Sequence, residues 1–166
     1  MIKPQYQNTE AYNEELYQMV LVNPGNEDYY LEYKALFSDT EWPAKWGKLL
    51  AFFGNRLEKS NSWLILEGRW DLIMNNAEPD NEHVMKYYGK ELALFYPERC
   101  FKVWSNNSNR IMSGGINRRD YRYAVHFLKE IAKHPGGKEI ASQQAEKYRS
   151  QYPRRNAMID ELKHLR

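Results

Sequence analysis

An aromatic residue followed by proline recurs along this chain, as Trp42-Pro43, Tyr96-Pro97 and Tyr152-Pro153, with the prolines 54 and 56 residues apart. Proline fits the first turn of a helix, where its missing N–H would have no partner, and it biases the preceding residue away from helix. Each dipeptide therefore predicts a helix start, and the near-constant interval predicts an array of stacked helices.

Apolar spacing of three and four residues predicts helices over most of the chain. Asn8 is positioned to cap a helix over 9–22 with Tyr12, Leu16, Met19 and Val20 on one face. Asn26 caps a second, carrying Tyr29, Tyr30, Tyr33, Leu36 and Phe37. A third carries Trp42, Trp46, Leu49, Leu50 and Phe53 and stops at Gly54-Asn55. Trp63–Met74 reads as two short helices meeting near Gly68, although its first five residues also fit a buried strand. Asp80 is expected to cap a helix with Val84, Tyr87, Tyr88, Leu92 and Phe95 inward.

Pro97 opens a helix with Cys100, Phe101, Val103, Trp104 and Ile111 inward. The run Ser105-Asn106-Asn107-Ser108-Asn109 has poor helix propensity and predicts a kink or early stop there. Asn117 caps a helix burying Tyr121, Ala124, Val125, Leu128 and Ile131, followed by one with Ile140, Ala141, Ala145 and Tyr148. Pro153 is expected to open the last, over 154–165, with Met158, Ile159, Leu162 and Leu165 inward. The expectation is an all-α fold of roughly nine helices in antiparallel hairpins, forming either a short α-solenoid or an irregular bundle.

A length of 166 residues predicts a single helical-repeat domain, 1–166, either whole or as part of a longer protein. The single cysteine, Cys100, allows no internal disulfide and is expected to be an inert buried thiol. Together with an N-terminus that lacks a signal-like apolar core, it fits a cytoplasmic protein with no membrane partner. The paired carboxylates, such as Asp160-Glu161, are adjacent in sequence and diverge on a helix. His83, His126, His134 and His164 form no metal-binding pair. His126 falls near Arg122 and Glu130, where a structural role is expected. No catalytic residue, metal ligand or cofactor is assigned, and no enzymatic activity is expected.

Charge is unevenly spread. Residues 1–98 carry 9 Lys/Arg against 16 Asp/Glu, whereas residues 99–166 carry 15 against 6. Arg118, Arg119, Arg122, Arg149, Arg154 and Arg155 cluster there with Tyr121, Tyr123, Tyr148 and Tyr152 interleaved. Arginine beside aromatic rings can grip phosphate and stack on bases, so these six are candidates for an anionic partner such as nucleic acid. Pairing of Arg154 and Arg155 with Asp160, Glu161 or Asp120 in a structural salt-bridge network is the favoured alternative. Tyr29, Tyr30 and Tyr33 are candidate protein-binding aromatics; helix seams account for two of the three, and a third facing outward would mark a binding surface.

The stretch Trp63–Leu165 resembles the C-terminal helical region of bacterial proteins that carry a SWIM-type zinc finger. The likeness lies in Leu66-Glu67-Gly68-Arg69-Trp70-Asp71-Leu72, Leu94-Phe95-Tyr96-Pro97-Glu98, Arg118-Arg119-Asp120-Tyr121-Arg122 and the segment Tyr152–Leu162. It implies a tetratricopeptide-like fold without an established activity. The finger needs Cys-x-Cys followed by Cys-x-His, which Cys100 alone cannot supply, so a zinc-dependent role does not carry over. The functional expectation is a non-enzymatic module that binds another protein or another domain of its parent chain. The alternative is a nucleic-acid-binding accessory domain acting through the basic last third.

Overall fold

The computed structural model describes residues 10–54 and 60–165, and among them lie ten α-helices and no strand. The proposed Asn8 cap and Asn55 stop lie outside the described residues. No described helix is long and apolar enough to cross a membrane. The helices group into two compact units, divided between Leu72 and Ile73.

The first unit contains α1 (Glu10–Val22), α2 (Glu27–Lys34), α3 (Trp42–Phe53), α4 (Asn61–Leu66) and the start of α5 (Trp70–Ala77). Asn26 caps α2 as expected, its Oδ1 accepting the Tyr29 N–H at 3.1 Å. Contrary to expectation, α2 stops at Lys34, and Leu36 and Phe37 lie in the following turn. Ser38 explains the early stop. Its backbone N–H and hydroxyl both bond to the Glu41 carboxylate, at 3.0 and 2.7 Å, and this local turn competes with continued helix.

Trp42, Trp46, Leu49 and Phe53 fill the buried face of α3. Tyr30 occupies the centre of this core, stacked on Trp63 at 5.0 Å and edge-on to Trp42 and Trp46. Gly68, at φ 65°, breaks the chain between α4 and α5, so the Trp63–Met74 segment is helix–turn–helix.

The second unit holds the rest of α5 with α6 (Glu82–Phe95), α7 (Pro97–Gly114), α8 (Arg118–Ala132), α9 (Gly137–Gln151) and α10 (Asn156–Leu162). A 3₁₀ turn, Lys163–Leu165, follows. α7 packs against α6 and α8, α8 also packs against α9, and α10 returns to α8.

Five expectations need correction here. The cap of α6 is Asn81 and not Asp80, with Asn81 Oδ1 accepting the Val84 N–H at 3.2 Å. The buried ridge of α6 centres on Gly89, where an added Cβ would fall 3.0 Å from the Trp104 ring. That close approach turns Tyr87 and Phe95 outward, at 58% and 57% exposure. Next, α7 runs unbroken through Ser105–Asn109. Asn107 bonds to the Val103 carbonyl, Ser108 to the Ala124 carbonyl, and Asn109 accepts from Gln144, so packing overrides propensity. In α9 the inward ridge is Ala141, Ala145 and Tyr148, which leaves Ile140 39% exposed. Finally, Trp42-Pro43 and Tyr96-Pro97 begin helices, but Pro153 sits in a turn and α10 starts only at Asn156.

Candidate functional site

Two surfaces of the second unit combine depth with ionisable groups. The larger is a groove of about 670 Å³ between α6 and α8, floored by Met85, Trp104 and Phe127. Its two walls use the same helical spacing: His83, Lys86 and Lys90 on α6, and Tyr123, His126 and Glu130 on α8.

The acids of this groove are already engaged. Glu82 pairs with Arg110 and accepts the Tyr123 hydroxyl at 2.7 Å. Glu130 binds Lys133 at 2.5 Å and lies 3.6 Å from His126 Nδ1. Carboxylate contact pushes the Tyr123 phenol above its ordinary range, keeping it a protonated donor. Lys86 lies over the Tyr87 ring at 5.4 Å. His126 therefore sits on the rim beside a carboxylate, half-exposed and too distant from it for a normal hydrogen bond. Among the described residues no serine, threonine or cysteine lines this groove, so the imidazole has no hydroxyl or thiol of that kind to activate. Its chemistry suits an apolar anchor held between polar walls.

The six candidate arginines do not share one fate. Arg118 reaches Asp160 at 3.1 Å and Glu161 at 3.3 Å, and Arg122 reaches Glu161 at 3.3 Å. Glu161 is buried, so α10 inserts a carboxylate beneath two guanidinium groups of α8. Arg149 pairs with Glu146 and donates to the Leu162 carbonyl at 3.3 Å. Arg155 donates to the Met112 carbonyl at 2.8 Å and lies 4.2 Å over the Tyr152 ring. Arg119 and Arg154 are exposed and make no ion pair among the described residues.

Helical spacing extends the Arg118/Arg122 stripe of α8 to Lys129 and Lys133. At that far end lies a second groove, of about 600 Å³, lined by Lys129, Lys133, Lys138 and His164 above Ala132, Ala141, Ser142 and Leu165. These cations escape notice when charges are sought as runs along the sequence. The recurrence of basic residues at 118, 122, 129 and 133 is the signal that finds them.

The candidate aromatics divide in a similar way. Tyr30 and Tyr33 are buried, so neither can meet a partner, and only Tyr29 is partly exposed. Burial lifts the Tyr33 phenol to about 12. Cys100 is fully buried, its Sγ 3.7 Å from Met74 Sδ, and burial pushes its thiol up to about 12. Among the described residues no three of His, Cys, Asp and Glu come together as a metal site. His134 stacks on Trp104 at 5.5 Å, and His83 packs edge-on to Tyr87.

No protein-family model, curated protein or solved structure matches this chain.

Proposed function

We propose that this protein is a non-enzymatic helical interaction module, and that the α6–α8 groove receives part of another protein or of another domain of its parent chain. The observation that carries this reading is the apolar floor of Met85, Trp104 and Phe127 set between walls that expose Tyr123 and His126. Interface anchors are typically aromatic or aliphatic groups seated in such hollows and ringed by polar contacts. The commitment of Tyr123 and Glu82 to each other supports binding over turnover, because neither is left to act on a substrate. The likeness of Trp63–Leu165 to the helical region of SWIM-type proteins belongs to the same proposal, as it implies a tetratricopeptide-like fold without an established activity.

Panning a displayed random-peptide library against the purified chain tests the reading. Enriched peptides should share an aromatic or aliphatic anchor and bind roughly tenfold more weakly to the Tyr123→Ala/His126→Ala variant. A library that yields no peptide sensitive to that variant counts against the proposal.

A further inference from the structure

We propose that the groove bounded by α8, α9 and the final 3₁₀ turn docks the phosphate backbone of duplex nucleic acid without reading its sequence. This inference is independent of the α6–α8 groove and uses different residues.

Charge comes first. Lys129, Lys133, Lys138 and His164 surround the groove, and no carboxylate lines it. Lys133 is shared with Glu130, but Lys129 and Lys138 make no ion pair among the described residues. On the same α8 stripe, Asp160 and Glu161 neutralise Arg118 and Arg122. Free positive charge therefore concentrates at the lysine end and is cancelled at the arginine end. A neighbouring groove shares Ser142 and Leu165, but its Arg149 and Lys163 are paired with Glu146 and Asp160, so the free charge stays at Lys129 and Lys138.

The floor selects among anionic partners. Ala132, Ala141 and Ser142 are small, so a phosphate chain can approach the helices closely. An acidic peptide would gain little, because these residues offer no hollow for the apolar anchor that protein interfaces rely on. No aromatic side chain lines the groove either, so unpaired bases would find nothing to stack on. Contact confined to phosphate, driven by counterion release, remains.

Fluorescence anisotropy of the full chain with a labelled 20-base-pair duplex, about two helical turns long, tests this. Three phosphate contacts give a salt slope near −3, so affinity should fall roughly 40-fold between 50 and 200 mM salt. Lys129→Glu/Lys138→Glu should weaken binding at least about tenfold at the lower salt and flatten the slope by about two. Both lysines are exposed, and an unchanged helical circular-dichroism spectrum confirms that the variant folds. Lys86→Glu/Lys90→Glu, on the other groove, should bind as the parent does. Absence of duplex binding at 50 mM salt overturns the proposal. So does binding indifferent to the Lys129/Lys138 reversal, or polyglutamate bound as tightly as the duplex.

Discussion

The phenol of Tyr30 donates a 2.7 Å hydrogen bond to Glu67 Oε1 from the middle of the aromatic core. Lys34 reaches the same oxygen at 2.6 Å, and Trp42 Nε1 donates to Oε2 at 3.3 Å. Donors from α2 and α3 thus converge on the residue that ends α4. One carboxylate satisfies a phenol that has no access to water.

Stability should consequently depend on pH from both sides. Burial works against the charged form of Glu67, but the bonds from Lys34, Tyr30 and Trp42 outweigh it and hold its carboxyl below the usual range. Its contribution is complete above the unfolded carboxyl value, near 4.3, and is lost as pH falls below that. Burial, followed by the Glu67 bond, pushes Tyr30 above its ordinary value, so its contribution is lost as pH rises beyond about 10. Glu67→Ala should cost about 2–3 kcal/mol by stranding the phenol. Urea unfolding followed by tryptophan fluorescence from pH 3 to 11, a span chosen to bracket both groups, checks each limb.

Gly136 and Gly137 should respond very differently to alanine. Gly136 adopts φ 76° with open space around it, and Gly136→Ala should cost about 1 kcal/mol. A Cβ on Gly137 would fall 1.8 Å from the Ile131 carbonyl oxygen, which is backbone and cannot swing away. Gly137→Ala should lose about 3 kcal/mol or more, read as a much larger drop in Tm.

Removing opposite ends of the α8–α10 ion pairs should also be unequal. Arg118→Ala/Arg122→Ala strands a buried carboxylate and should cost about 3 kcal/mol. Glu161→Gln leaves Arg118 paired with Asp160 and frees only Arg122, which solvent already reaches, at about 1 kcal/mol. The same Glu161→Gln protein should elute from heparin at higher salt, because a negative charge is removed and Arg122 is left unpaired. Denaturant titration and the elution profile provide the two measurements.

Tyr148→Phe tests the polar seam inside the second unit. The Tyr148 hydroxyl lies 3.0 Å from Ser108 Oγ and 2.9 Å from Asn109 Oδ1, in buried surroundings. Its loss should cost about 1–2 kcal/mol. Ser108→Ala should cost at least as much, since it removes both this bond and the one to the Ala124 carbonyl. A matched pair of thermal melts distinguishes the two.

Local signals in the sequence located most helices because the caps act through near neighbours. Asn26 and Asn117 each bond to the N–H three residues on. Continuity of α7 was not legible, since Ser108 and Asn109 find partners 16 to 39 residues away. The outward turn of Tyr87 was hidden for the same reason: it follows from the fit of Gly89 against Trp104, a contact between helices. The arginine cluster was visible as composition, but its pairing with Asp160 and Glu161 depends on α10 returning to α8. The groove at Lys129 and Lys138 becomes apparent only when α9 is placed beside α8.

The return of α10 to α8 sets an order of events during synthesis. Arg118 and Arg122 leave the ribosome well before Glu161, so the nascent chain carries their charge uncovered. That charge is compensated only once α10 emerges and docks, so the seam between α8 and α10 is among the late contacts to close.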